Sequence, residues 1–171
     1  VANIGNFIHR ALTFIDSSFG GEGPAPTDYA ADDREFEAHL LGVAGKVERA
    51  LSEIEIERAL KSLVEFTALC NQCCQGKRPW ADAEAARTCL YLSADGVRIL
   101  AILLGPFIPA SAESLWAQLN QQGSVHDARW QEASQLLLRP GHRIQKPKIL
   151  FRKIEGAEIK AQKDKLKAPP P

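Results

Sequence analysis

Apolar residues spaced three and four positions apart recur along most of this chain, and this spacing limits the possible folds more than any other feature. The opening stretch VANIGNFIHRAL is typical, because its apolar side chains fall on one face of a helix. That face consists of Ile4, Phe7, Ile8, Ala11, Leu12 and Ile15. Strand-like alternation is scarce, while Ala, Leu, Glu, Lys and Arg are plentiful. We therefore predict one all-α domain, with at most a small appendage, for the 171 residues.

The same spacing predicts five helices separated by breaks that contain Gly or Pro. They cover residues 1–18, 30–53, 55–75 and 81–104, and a fifth runs from about residue 111 to 123. Thr27 or Asp28 is expected to cap the second helix. The third helix is expected to bury Ile56, Leu60, Leu63, Val64, Thr67, Leu69 and Cys70. We expect an antiparallel five-helix bundle in residues 1–155 and a basic linker or tail in 156–171.

A short extended segment near the C-terminus is expected to pack back on this bundle through Ile149, Phe151 and Ile154. The chain contains no methionine and begins inside a helical pattern without a cap. We therefore expect it to be part of a longer protein.

Charge is balanced overall but segregated along the chain. The 21 basic and 21 acidic residues give a formal net charge of zero, whereas residues 139–167 hold ten basic residues against three acidic ones. This basic end fits either a surface that meets phosphates or a solvated tail. No signal peptide is visible, and no apolar run reaches the roughly 20 residues of a membrane span. A cytoplasmic protein without a membrane partner is expected.

The four cysteines do not form a recognisable metal motif. Cys70 and Cys73 have CxxC spacing, but no second CxxC and no nearby histidine complete a zinc site. We interpret the thiols as packing residues, with a metal site and a Cys70 nucleophile assisted by His39 as the alternatives. P-loop, GxGxxG, GxSxG and HExxH motifs are absent from the sequence. An active site wholly within this chain is not expected.

Two polar features suggest binding instead of catalysis. Asn6 and Arg10 are four residues apart on the first helix, so their side chains emerge side by side. Arg78, Pro79 and Trp80 break the third helix and place an indole at a helix start. These residues fit a solvated face and an aromatic staple. They also fit a surface that stacks on an unpaired base and hydrogen-bonds base edges.

The chain resembles the C-terminal anticodon-binding domain of methionyl-tRNA synthetases over nearly its whole length. The resemblance depends on GNFIHRALTFI, RALKSLVEFTALCNQ, RPW, ILLGPFIPASAESLWAQL and GHRIQKPKILFRKIE. The stretch PFIPASAESLWAQL is similar to related valyl, leucyl, isoleucyl and cysteinyl enzymes. The Gly-Asn-x-x-x-Arg, Pro-Trp and Leu-Phe-x-Lys-Ile-Glu patterns indicate the methionine enzyme more specifically.

The resemblance implies a role for three residues. It implies that Trp80 stacks on a base of the CAU anticodon of methionine tRNA while Asn6 and Arg10 hydrogen-bond base edges. Where relatives often have Tyr, this chain has Cys73, so one aromatic contact near the loop is either absent or supplied by another residue.

The resemblance also implies functions that lie outside the chain. The catalytic domain of the same protein, its ATP site and a zinc knuckle would lie upstream, so the chain alone would need no cofactor and would not aminoacylate tRNA. The ligase as a whole would attach methionine to tRNA using ATP. The alternatives are a helical protein-interaction module that kept the bundle and the equivalent domain of a sister synthetase. The oligomeric state is not predicted.

Overall fold

The computed structural model describes residues 2–152 and 154–167, and its regular elements are helical. The helices are α1 Ala2–Phe19, α2 Ala31–Ser52, α3 Ile56–Lys77, α4 Arg87–Leu104, α5 Pro109–Gln118 and α6 Gly156–Lys167. Two 3₁₀ turns, Val125–Asp127 and Trp130–Ser134, follow α5. In the part of the chain that is described there is no strand, only an isolated antiparallel bridge between Glu22 and Arg143. The predicted all-α class is confirmed.

Helix α4 lies at the centre of the fold. Its residues 92–104 are all buried, and it packs against α1, α2, α3 and α5. A helix that is apolar on nearly every side has to be covered all round. This requirement explains why α1, α2, α3 and α5 surround α4. None of the helices in the described residues has the length and apolar character needed to cross a membrane.

Helix α1 follows its sequence pattern closely. All six side chains predicted for its inner face are buried: Ile4, Phe7, Ile8, Ala11, Leu12 and Ile15. Asn3 and Asn6 are exposed on the other side of the helix, and Arg10 is half-buried. The polar stripe of α1 is therefore available at the surface.

Helix α3 buries only part of the predicted set, namely Leu63, Thr67 and Cys70. Its buried residues are Ala59, Leu63, Phe66, Thr67, Cys70 and Cys74. Ile56, Leu60 and Val64 were predicted to be buried, but their exposed fractions are 48%, 40% and 38%. The prediction was wrong for these three because α3 carries apolar residues on more than one face and its partners cover only one of them.

Two helix starts also differ from prediction. Helix α4 begins at Arg87 instead of residue 81, because the Asp82 carboxylate accepts a hydrogen bond from the Ala85 N–H at 3.0 Å and holds residues 81–86 in turns. Helix α2 is not capped by Thr27 or Asp28. Its first turn is closed by Asp33, whose carboxylate accepts from the Ala30 N–H at 3.0 Å.

The segment after the second 3₁₀ turn returns along the bundle. The Ile144 N–H donates to the Gly21 carbonyl at 2.8 Å. Phe151 then packs on α1, where a Cβ at Gly5 would lie 3.1 Å from its ring, so the glycine permits the close approach. Ile149 and Ile154, predicted to pack on the bundle, are instead 74% and 61% exposed.

Candidate nucleic-acid interface

The junction between α3 and α4 presents an indole at the surface. Helix α3 ends in a left-handed residue, Arg78, with φ of 47°, whose N–H donates to the Cys74 carbonyl at 3.2 Å. Pro79 is buried, whereas Trp80 is 55% exposed. A buried proline directly before the tryptophan anchors the turn while the indole stays outside the core. Trp80 is therefore available for a ligand and is not part of the packed interior.

Helix α1 supplies neighbours for this indole. The Arg10 guanidinium lies over the Trp80 ring at 5.6 Å from its centroid, which is a cation–π distance. The Phe14 ring lies 6.2 Å from the indole, centroid to centroid, with an interplanar angle of 37°. The structure therefore brings Arg10 and Trp80 together, although they are 70 positions apart in the sequence.

A polar groove runs beside this cluster between α1 and α3. It contains a cavity of about 300 Å³, and every lining residue except Ala68 carries an amide or a guanidinium. The lining residues are Asn3, Asn6, Arg10, Ala68, Asn71, Gln72 and Gln75. We call this cavity the amide groove. Asn6 and Arg10, both predicted site residues, lie on its α1 wall, and Arg10 also contacts Trp80.

The α3 wall of the amide groove and the Phe14 ring were missed by sequence reasoning. Asn71 and Gln75 are four residues apart, as are Asn6 and Arg10, so the same polar spacing marks both walls. That signal was present in α3 but was obscured by the apolar residues around it. Phe14 follows Arg10 by one helical turn and carried no polar signal at all.

Three of the four cysteines lie in the interior next to this site, and Cys73 is half-buried. Cys70, Cys74 and Cys89 are buried and all four cysteines are free thiols. The Cys74 sulfur lies 3.8 Å from the Cys89 sulfur and 3.3 Å from the Ser93 hydroxyl. The hydrogen bond from Cys89 lowers the pKa of Cys74 to about 7, although burial by itself raises it. The positive charge of Arg10 also lowers this pKa.

Burial excludes Cys70 from nucleophilic chemistry in this fold. Its side chain has no exposed surface, and burial raises the pKa of its thiol. His39, the base considered for it, is hydrogen-bonded through Nδ1 to the Glu35 carbonyl oxygen at 2.8 Å. Across residues 2–152 and 154–167, no three His, Cys, Asp or Glu side chains are grouped to hold a metal ion.

An ion cluster fixes the end of α3 just before the Trp80 turn. The Lys77 ammonium lies 2.9 Å from the Asp32 carboxylate and 3.0 Å from that of Asp33, both in the first turn of α2. The hydrogen bond from Lys77 lowers the pKa of Asp32 below its ordinary value of 3.8. The cluster therefore ties the start of α2 to the residue that leads into Arg78 and Trp80.

Neutralising Asp32 is expected to remove a small, pH-dependent part of the stability. Because the folded-state pKa is lowered, the contribution is complete above the unfolded pKa and is lost as pH falls through the folded one. The Asp32 side chain is 64% exposed, so Asp32→Asn should cost only about 0.2–1 kcal/mol at neutral pH. Urea unfolding at a series of pH values should show this difference shrinking towards zero in acid. The exposed Asp28→Asn serves as control, and a difference that does not depend on pH would contradict the assignment.

The basic C-terminal region is partly neutralised within the fold. Arg143 pairs with Glu22, and Arg152 pairs with Glu158 at 2.7 Å. Lys146 and Lys148 are exposed beside α5. Lys146 and Lys148 are therefore available to phosphates. The hydrogen-bonding side chains and the exposed aromatic ring that suit nucleic-acid bases lie instead at the amide groove and Trp80.

Comparison with known proteins shows which family this chain resembles. A family model described as the anticodon binding domain of methionyl tRNA ligase matches residues 24–169. The methionine–tRNA ligase of Thermofilum pendens is 34% identical over 96% of this chain, and that of Methanosphaera stadtmanae is 33% identical over 96%. The chain spans only 29% and 26% of the lengths of these two relatives.

Solved structures give the same result. The apo methionyl-tRNA synthetase of Mycobacterium tuberculosis superimposes with a TM-score of 0.80 at 25% identity, covering 90% of this chain and 32% of that one. A structure of the same bacterium's enzyme in complex with methionyl-adenylate gives a TM-score of 0.79 at 26% identity, covering 88% of this chain and 31% of that one.

Proposed function

The chain belongs to the family of anticodon-binding domains of methionyl-tRNA ligases, and from this membership we propose that it binds the CAU anticodon loop of a methionine tRNA. The observation that carries the proposal is the contact between Arg10 and the exposed Trp80 at the edge of the amide groove. Single-stranded RNA is read through base faces and base edges at the same time. An exposed indole next to amides and a guanidinium offers partners for both.

The roles of the three site residues follow from their chemistry. Trp80 stacks on an unpaired anticodon base, since more than half of its side chain is exposed. Asn6 offers both a donor and an acceptor to a base edge, and Arg10 offers donors only. Arg10 is oriented for this by its position over the indole, because a stacked guanidinium loses part of its rotational freedom.

Ligation itself is assigned to parts of the relatives that this chain does not span. We propose that activation of methionine with ATP, and any zinc requirement, belong to the catalytic domain of the whole enzyme. That domain and methionine tRNA are the expected partners, in the cytoplasm. Residues 1–155 then act as the tRNA-selecting bundle and 156–171 as a linker, within which Gly156–Lys167 forms helix α6.

Binding to two anticodon stem-loop RNAs tests the proposal. A stem-loop with CAU should bind the domain more tightly than the same stem with the three bases scrambled. Scrambling still leaves a base to stack on Trp80 but presents the wrong base edges to Asn6 and Arg10. A mismatched edge costs about 1–3 kcal/mol, so we expect a preference of roughly 5- to 150-fold by fluorescence anisotropy. Affinity for both RNAs should fall with salt, with a logarithmic slope of about −0.7 for each phosphate neutralised on a single strand.

Equal affinity for the two loops would overturn the proposal and favour a protein-interaction module. The sister-synthetase alternative predicts a different outcome, in which a valine or isoleucine anticodon loop binds more tightly than CAU. The similarity to methionine–tRNA ligases argues against that outcome.

A further inference from the structure

Asn71 differs from the other amides of the groove because its orientation is fixed by the fold. Its side-chain nitrogen donates to the main-chain carbonyl of Asn3 at 3.2 Å and to that of Thr67 at 3.0 Å. Carbonyl oxygens only accept hydrogen bonds, so the nitrogen must face them. Both N–H groups of Asn71 are therefore engaged. The side-chain oxygen is left as an acceptor without a partner among the described residues.

A fixed acceptor discriminates between bases in a way that a freely rotating amide cannot. Asn6 and Gln72 are exposed, and an exposed amide can turn either its oxygen or its nitrogen towards a base. Asn71 cannot turn without losing two hydrogen bonds, one of which links α3 to α1. A ligand that placed an oxygen against the Asn71 oxygen would leave both without a donor, which is penalised.

Cytosine and adenine carry an exocyclic amino group, which is a donor, where uracil and hypoxanthine carry a keto oxygen. We propose that Asn71 is a specificity-determining residue of the amide groove, which accepts a hydrogen bond from the amino group of cytosine or adenine and rejects the keto counterpart. This rests on the proposed function, because it assumes that an anticodon base enters the groove. The guanidinium of Arg10 complements the Asn71 oxygen, because it can donate hydrogen bonds to the acceptor atoms of the same base edge.

Deleting a single amino group from the RNA tests this assignment. Two stem-loops are compared with the CAU parent, one with cytosine replaced by pyrimidin-2-one and one with adenine replaced by purine. Each change removes only the exocyclic amino group. One of the two loops should bind the unchanged protein roughly three- to tenfold more weakly, the value of one hydrogen bond. In Asn71→Ala that penalty should vanish, and in the control Gln122→Ala, an exposed amide outside the groove, it should persist.

The outcomes separate this inference from the proposed function. If neither amino deletion weakens binding to the unchanged protein, or if the penalty persists in Asn71→Ala, Asn71 is not the acceptor. The preference for CAU over the scrambled loop then stands unaffected. A protein without that preference overturns both. If Asn71→Ala does not fold, Asn71→Ser is the second variant, because its hydroxyl can still donate to the Thr67 carbonyl while the amide oxygen is absent. The amino-deletion penalty should vanish in Asn71→Ser as well.

Discussion

Replacing Trp80 with alanine is expected to weaken binding of the CAU stem-loop by about 1–3 kcal/mol, because the base stacked on the indole loses its platform. That loss corresponds to roughly 5- to 150-fold in the dissociation constant. The fold should be little affected, since 55% of the Trp80 side chain is exposed. Fluorescence anisotropy with labelled RNA measures the first effect, and thermal unfolding measures the second.

Two variants make the Trp80 result specific. Trp80→Phe keeps an aromatic face and should retain part of the affinity, because stacking tolerates any flat ring. Ile54→Ala removes an apolar side chain that is 83% exposed at the α2–α3 turn, outside the amide groove, and should leave RNA binding unchanged. If Trp80→Ala binds the CAU loop as tightly as the parent, Trp80 does not stack on a base.

Local periodicity predicted α1 well because a single stripe of apolar residues left one choice of buried face. Helix α3 was harder, since Leu60 and Leu63 both suit a core and only the docking of neighbouring helices decides between them. Leu63 is buried and Leu60 is 40% exposed. Which apolar face of a helix becomes buried depends on the neighbouring helices, and the sequence of one helix does not show where those neighbours pack.

The candidate site shows the same division between local and long-range information. The pairing of Asn6 with Arg10 follows from helical spacing, and the exposure of Trp80 agrees with its position after Pro79. The contact between Arg10 and Trp80 joins α1 to the turn that follows α3, and the Asn71 bond to Asn3 spans 68 positions. Such contacts depend on how α1 docks against α3, which no local pattern specifies.

A buried ion pair in α4 holds the returning segment to the bundle. Asp95 and Arg98 have 0% and 1% exposed surface, and Arg98 Nε lies 2.7 Å from the Asp95 carboxylate. The Asp95 oxygens also accept from the N–H groups of Leu137 and Leu138 at 3.1 Å. Arg98 donates to the carbonyl oxygens of Glu132, at 3.0 Å, and Gln135. Both charges are therefore paired and bonded to the segment that follows α5.

Asp95→Ala is expected to destabilise the domain by about 3–5 kcal/mol, the cost of leaving one charge of a buried pair uncompensated. The substitution leaves the buried Arg98 guanidinium without its counter-ion. One of the terminal nitrogens of Arg98 already lacks a partner among the described residues. It also removes the acceptor of two main-chain N–H groups. Urea unfolding measures the loss, and hydrogen exchange should show the Leu137 and Leu138 amides losing protection first.

Removing both charges distinguishes the effect of an uncompensated buried charge from the effect of losing the hydrogen bonds to residues 132–138. Asp95→Leu combined with Arg98→Met keeps apolar volume in the core, and replacing a buried ion pair in this way is often neutral or stabilising by about 1–4 kcal/mol. Here the double variant gives up the bonds to residues 132–138, so we expect it to be less stable than the parent but more stable than Asp95→Ala. A double variant as unstable as Asp95→Ala would show that these bonds to the returning segment, and not the uncompensated charge, account for the loss.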